Sequence, residues 1–315
     1  MPPAEPSIAT LRNPAVRYFL ATRPPFLSVT LAAALLGLAA AFWSGLTIDA
    51  VTATVTVVFA LIAHAGVNVL NDYYDALNGT DAINTERVFP FTGGSRFIQN
   101  GVLSTKETAI FGFTLLVVVV VAGLWLMKVS GPGLVWIGLA GLFIGWAYSA
   151  PPLALNSRGF GELCVWAGFA LIAIGADFVQ RGAFSTVPLV AASGYALLVT
   201  NILYINQFPD HKADEAAGKH HWVVRLGAER AVYGYAAIGI AAYGAVVLGV
   251  VAHALPLAAL AALAPAAMTL RAYRILAANA GRPAALAPAI QATIGAALLY
   301  ALLLAAALVA ARVFA

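Results

Sequence analysis

Charge is what this sequence has least of. Asp, Glu, Lys and Arg make up 10% of its 315 residues, where a soluble globular chain carries about 25%. So little polar surface cannot cover a water-soluble globule of this size. Cysteine is nearly absent as well, and the one thiol, Cys164, excludes an intramolecular disulfide framework. It lies in an apolar run and reads as a packed structural thiol. No dense basic patch with interleaved aromatics occurs, so nucleic acid is not an expected partner. The net charge of +4 reads instead as a Lys/Arg excess on loops at one membrane face. What the chain has in quantity is apolar sequence: 62% of residues are hydrophobic and the mean hydropathy is +0.89. A lipid bilayer is the solvent that tolerates this balance.

A helical span needs about 20 mostly apolar residues. Nine such runs occur, at about 25–46, 51–75, 108–127, 131–149, 160–179, 186–209, 231–252, 254–274 and 286–311. They predict an all-α, multi-pass transmembrane bundle of nine helices in two pseudo-repeated halves. The expected organisation is one domain over residues 1–315, with residues 1–24 a cytoplasmic N-terminal segment. The run from Phe26 to Leu46 is long for a signal-peptide core and other spans follow it, so it reads as the first helix. Gly131-Pro132-Gly133 and His253 to Pro256 read as tight turns between neighbouring helices. With nine spans, the N-terminus and the loops after helices 2, 4, 6 and 8 share one side. Of the 17 Lys and Arg residues, only Lys128, Arg181 and Arg312 fall on the other side. That asymmetry predicts an inner (plasma) membrane protein with its N-terminus and charged face in the cytoplasm.

The acids gather on the same face, with only Asp49 and Asp177 elsewhere. The positive-inside bias does not require this, so the acids need a cause of their own. Helix 2 ends in Asn68, Asp72 and Asp75, at i, i+4 and i+7 on one helical face. Helix 6 ends in Asn206, Asp210 and Asp214, at i, i+4 and i+8, and Gly79 and Gly218 each follow the last acid by four residues. Pro209 is expected to break or kink this helix and free a carbonyl near the acids. Acids at a helix C-terminus oppose its dipole, and paired carboxylates repel unless a cation lies between them. Carboxylate and amide oxygens are hard ligands that suit magnesium or calcium rather than zinc.

Bases stand behind both clusters: Arg87 and Arg96 after the first, Lys212, Lys219 and Arg225 after the second, and Arg158 between the halves. Carboxylates for metal ions, with guanidinium and ammonium groups for leftover negative charge, fit a magnesium-bridged diphosphate. A diphosphate that belongs in a bilayer is a polyprenyl diphosphate, its head at the interface and its tail among the helices. Gly93-Gly94-Ser95 reads either as a turn approaching the diphosphate or as a plain loop. Tyr148, beside Pro151-Pro152, reads first as an interfacial anchor. His220 and His221 read as solvated, since a zinc site would need further ligands nearby.

At these motifs the chain resembles the UbiA superfamily of intramembrane prenyltransferases. The strings that carry the resemblance are NVLNDYYDALNGTD (68–81), YSAPPLALNSRGFGE (148–162) and NQFPDHKADEAAGKHHWVVRLG (206–227). The resemblance implies that Asn68, Asp72, Asp75, Asp210 and Asp214 hold magnesium, as two ions, and that the four aspartates are the catalytic set. It implies supporting polar roles for Asn71 and Asn206, and diphosphate contacts from Arg96, Arg158, Lys212 and Lys219. Many members carry an Asp four residues beyond the equivalent of Asp75; here Gly79 stands there and Asp81 is the next acid, which leaves the role of Asp81 open. That spacing is similar to the menaquinone branch, which prenylates 1,4-dihydroxy-2-naphthoate. The implied reaction is electrophilic prenyl transfer to an aromatic acceptor, with Tyr73, Tyr74 and Tyr148 as possible shields for an allylic cation. Other acceptors of the superfamily are 4-hydroxybenzoate, homogentisate, a porphyrin side chain or a lipid. A cation-coupled transporter is the competing class, but its acids belong near the midplane rather than at helix ends.

Overall fold

The computed structural model describes residues 4–314, and all regular structure among them is helical. Twelve α-helices follow in order: α1 (Pro14–Ala21), α2 (Pro24–Trp43), α3 (Ala50–Asn78), α4 (Thr80–Ile83), α5 (Thr105–Ser130), α6 (Leu134–Ser149), α7 (Gly161–Arg181), α8 (Val187–Ala216), α9 (Trp222–Leu226), α10 (Ala228–Val251), α11 (Ala266–Asn279) and α12 (Ala287–Val313). Eight helical segments among the described residues are long and apolar enough to cross a membrane: α2, α3, α5, α7, α8, α10, residues 257–279 and α12. The ninth expected span, α6, has 16 residues, a length of about 24 Å against a hydrocarbon core of about 30 Å. Residues 257–279 are not one regular helix. A 3₁₀ stretch, Leu257–Leu263, leads into α11 across Pro265, which has no N–H to continue the ladder.

Pro209 does not end its helix. The α-helix α8 runs through it to Ala216, and α3 likewise continues past Asp75 to Asn78. Pro209 has no N–H to offer the carbonyl of Ile205, yet packing outweighs that loss. Helix α8 is the most enclosed span, with 72% of its apolar window buried against 17% for α3 and α5. Tyr195, Ile205 and Phe208 on α8 are fully buried. Their neighbours include Tyr235 on α10 and Tyr300 and Leu304 on α12. Three buried tyrosines in this seam place their hydroxyls on partners: Tyr195 on the Val29 carbonyl (2.5 Å), Tyr204 on the Ala231 carbonyl (2.9 Å) and Tyr235 on the Thr293 hydroxyl (2.7 Å). That is what a low-dielectric interior requires.

Helix packing relies on small residues, as it does where lipid gives no hydrophobic drive between helices. A Cβ on Gly37 of α2 would sit 2.2 Å from the Ala173 carbonyl oxygen of α7, so these backbones touch directly. Large side chains point outward instead: Trp136, Ile240 and Leu257 are between 68% and 75% exposed. On an integral membrane protein this is lipid-facing surface. Caps fix the ends outside the core: Asp49 accepts from the Thr52 amide at the start of α3, and Ser104 and Glu107 form a reciprocal capping box on α5.

Candidate active site

Because α3 and α8 carry their acids in their last turns, both motifs end up facing one polar cavity. The cavity measures about 180 Å³ and is lined by Asn68, Asn71 and Asp75 of α3, Asn206, Asp210 and Asp214 of α8, and Asp81 and Lys219. The two motifs are bonded in parallel ways. The leading asparagine of each gives its amide N–H to a backbone carbonyl: Asn68 to Thr22 (3.1 Å), Asn206 to Phe91 (3.3 Å). The first acid of each is held by the segment between α4 and α5. Asp72 accepts from the Ser95 amide at 3.2 Å, while Asp210 accepts from the Asn84 side chain at 2.6 Å and the Gly93 amide at 3.3 Å. The second acids share one cation, with Lys219 Nζ 2.8 Å from Asp75 and 3.1 Å from Asp214. Their other oxygens take a further partner each, Asn71 for Asp75 (3.2 Å) and His221 for Asp214 (3.0 Å).

Not every expected residue reaches the cavity. Asp72 is buried just behind its wall, 3.9 Å from the Arg23 guanidinium. Arg96 is also buried behind it, in a left-handed conformation (φ 67°), and donates to the Asp81 carbonyl. Burial and the adjacent Arg87 lower its pKa. Lys212 points away, exposed and paired with Glu86 at 2.6 Å. Arg158 is spent on the Pro152 carbonyl at 2.6 Å. Tyr73 and Tyr74 pack against each other at a tilt and line neither cavity, whereas Tyr148 lines the polar one.

His221 corrects the expectation of a solvated imidazole: it is buried and bonded to Asp214, while His220 stays exposed. The sequence reading singles out Ser95 only within the Gly93-Gly94-Ser95 turn, and Asn84 not at all. Asn84 and Ser95 hold acids through contacts that span 126 and 23 residues of chain. Arg23 stands at the N-cap position of α2 in a left-handed conformation (φ 59°) and lines the polar cavity.

Electrostatics outside the spans follow from this crowding. Burial pushes the Asp81 carboxyl up to about 8, reinforced by Asp75 and Asp72 and opposed by Lys219 and Arg23. In the metal-free protein it therefore holds a proton at neutral pH. Burial alone would lower the pKa of Lys219, but Asp75 and Asp214 outweigh it and hold the ammonium protonated.

The donor set suits a hard cation. Carboxylates come from two helices, and the side-chain oxygens of Asn206 and Asn84, which line the same cavity, have no hydrogen-bond partner. Among the described residues, no three His, Cys, Asp or Glu side chains stand close enough to grip an ion as they are. The acids converge on Lys219 instead.

A second, apolar cavity of about 700 Å³ adjoins the first. Its walls are the N-terminal segment, the start of α2, residues 89–97 and one face of α12 at Gln291, Ile294 and Gly295. Arg23, Phe91 and Gly94 line both cavities. A polar and an apolar chamber thus lie side by side.

The profile of the UbiA prenyltransferase family matches residues 29–288. The chain belongs to the UbiA prenyltransferase family. Among curated relatives, this UbiA-family chain is 32% identical over 178 residues to a 1,4-dihydroxy-2-naphthoate octaprenyltransferase of Mycobacterium leprae, covering 56% of the chain and 58% of that protein. It is 30% identical over 240 residues to a 2-carboxy-1,4-naphthoquinone phytyltransferase of Synechocystis, covering 72% and 71%. It is 27% identical over 216 residues to a 1,4-dihydroxy-2-naphthoate octaprenyltransferase of Escherichia coli, covering 66% and 68%. The chain thus spans less than two thirds of the length of the M. leprae relative. Among solved structures, the UbiA fold here superposes on a UbiA homolog from Archaeoglobus fulgidus bound to DMAPP and Mg2+, with a TM-score of 0.60 at 18% identity, covering 89% of this chain and 98% of that one. A digeranylgeranylglyceryl phosphate synthase gives a TM-score of 0.63 at 15% identity, covering 96% and 99%. At these identities the likeness is one of fold.

Proposed function

We propose that this UbiA-family protein transfers a polyprenyl group from a polyprenyl diphosphate to an aromatic acceptor in a magnesium-dependent reaction. The acceptor we assign is 1,4-dihydroxy-2-naphthoate, in menaquinone biosynthesis. The observation that carries the reading is the paired cavity: carboxylates and an ammonium line one chamber, and Arg23 joins it to an apolar chamber of about 700 Å³. A lone cation site would need no apolar annex. The naphthoate assignment is supported by the names of relatives that align over 66% and 72% of this chain. The site lies at the end of the bundle where the Lys and Arg residues collect, which we assign to the cytoplasmic face of the inner membrane.

Two magnesium ions, held by Asp75, Asp210 and Asp214 with Asn68 and Asn206 oxygens and with Asp72 behind them, would neutralise charge that builds on the departing diphosphate. Lys219 and Arg23 take the remaining phosphate charge. Asp81 lines the same chamber beside them. The apolar chamber holds the chain and keeps water from the allylic carbon as its C–O bond breaks. The bond's electron pair leaves with the diphosphate, and the acceptor ring carbon bearing the carboxylate attacks the allylic carbon. Carbon dioxide then departs and its bonding pair returns to the ring. Decarboxylation replaces proton loss, so this acceptor needs no general base. Phe91 and Tyr148 are the aromatic rings of the polar chamber that would shield the developing cation, since both line it.

The test is an incubation of purified protein with magnesium, radiolabelled polyprenyl diphosphate and a panel of aromatic acceptors. The naphthoate should give labelled product and labelled carbon dioxide from a carboxyl-labelled acceptor. Absence of product and of diphosphate release with every acceptor refutes the reading. Asp72→Ala and Asp210→Ala should abolish turnover in folded protein.

A further inference from the structure

Among the described residues, Lys219 is the one cation within 4.0 Å of carboxylates from both motifs, at 2.8 Å from Asp75 and 3.1 Å from Asp214. It is not a loose side chain. Gly218, at φ 79°, turns the chain just past the end of α8, and the Lys219 amide donates back to the Asp214 carbonyl at 2.8 Å. The residue is only 7% exposed. Asn71 and His221 occupy the other oxygens of the same two carboxylates. An ion that binds Asp75 and Asp214 at magnesium's short ligand distance, about 2.0–2.1 Å, therefore has to displace this ammonium. A displaced, buried ammonium needs another anion, because leaving it unpaired is costly.

We infer that Lys219 is a tethered counter-cation: it bridges the two motifs while the site is empty of ligand and moves onto the diphosphate when that arrives. Magnesium and diphosphate then load together, and magnesium alone binds poorly. The inference rests on the diphosphate reading above, since the diphosphate is the anion that receives the ammonium. It assigns Lys219 a role before chemistry begins, apart from any contact it makes with the leaving group.

The experiment uses full-length protein in detergent, stripped of divalent ions, with thermal unfolding followed by tryptophan fluorescence and magnesium binding by calorimetry. In the native protein, magnesium alone should leave Tm unchanged at concentrations where magnesium plus inorganic diphosphate raises it. Lys219→Gln should lower the metal-free Tm, and magnesium alone should then bind at least about tenfold more tightly than to the native protein and restore it. Lys219→Arg, which keeps the charge, should resemble the native protein. Equal or weaker magnesium affinity in Lys219→Gln overturns the inference, as does a metal-free variant that magnesium cannot rescue. If Lys219→Gln gains magnesium affinity while the native protein ignores magnesium plus diphosphate, the counter-cation stands and the diphosphate reading falls.

Discussion

Gly94→Ala tests how tightly the segment between α4 and α5 must close on the acids. Gly94 has φ 72°, and a Cβ there would lie 2.4 Å from Asp81 Oδ2 and 3.0 Å from its carboxyl carbon. Two costs follow. The left-handed backbone costs a side-chain-bearing residue about 1–2 kcal/mol. The contact forces either a buried carboxylate or the loop to give by most of an ångström, an overpacking cost of about 1–3 kcal/mol. Gly101 separates the two. It lies in the same segment at φ 65°, but a Cβ there meets nothing within 4 Å. Gly101→Ala should therefore lose only the backbone cost, with magnesium–diphosphate binding intact. Gly94→Ala should unfold at a lower temperature than Gly101→Ala and bind magnesium–diphosphate at least about tenfold more weakly, because the loop that moves also carries the Gly93 amide on Asp210. Calorimetric titration with magnesium and a non-hydrolysed prenyl diphosphate analogue reads the binding. Equal stability and equal affinity in the two variants would refute the idea that this loop is packed against the acids.

Other expectations are as specific. Asp81 has a folded pKa near 8 against an ordinary 3.8, so between those pH values the native state binds more protons than the unfolded one. The stability of metal-free protein should fall as pH rises from about 4 to 8, and Asp81→Asn should flatten that slope in thermal melts; an unchanged slope would show the carboxyl is ionised throughout. Gly37→Ala places a methyl 2.2 Å from the Ala173 carbonyl and should cost about 1–3 kcal/mol, visible as a depressed Tm, whereas Gly138→Ala, with open space around it, should melt like the native protein. Glu5 holds Arg87 at 2.5 Å and also accepts from Asn100 at 3.1 Å, so Glu5→Gln should speed proteolysis of the N-terminal segment while shifting Tm little, as a partly exposed ion pair contributes about 1 kcal/mol or less. No change in cleavage rate would mean the segment is held by its apolar contacts alone.

The acids were legible in the sequence because a helix repeats every 3.6 residues, so Asn206, Asp210 and Asp214 announce a shared face. That reading already contradicted a break at Pro209, since i+4 and i+8 share a face only on an unbroken helix. The unbroken course of α8 through Pro209 also decides where Lys212 lies. In a loop, Lys212 would be free to swing to the cavity. On a continuing α8 it stands about 200° around the helix from Asp210, and it pairs with Glu86 outside instead. Lys219 comes after the helix, where Gly218 turns the chain back, and so reaches the cavity that Lys212 misses. The clamps from Asn84, Gly93 and Ser95 leave no periodic trace, because they bond across the fold rather than along one element. His221 was hidden for the same reason: its partner is set by the turn after α8, not by any spacing of metal ligands.

The internal repeat reaches further than the two strings that revealed it, but it stops at the helices. Each motif has an asparagine bonded to a carbonyl, a first acid held from above and a second acid on Lys219. The partners are not themselves repeated. The segment after the first motif supplies the clamps for both first acids, and the turn after the second motif supplies the cation for both second acids. Each loop therefore serves both halves at once, and neither motif is complete with its own half alone. A pseudo-symmetric bundle with loops so divided has one site rather than two. The division also lets the two loops act differently: one fixes carboxylates in place through neutral donors, and the other brings a charge that a ligand can take over. The four acids of the two motifs are thus held from two loops far apart in the sequence.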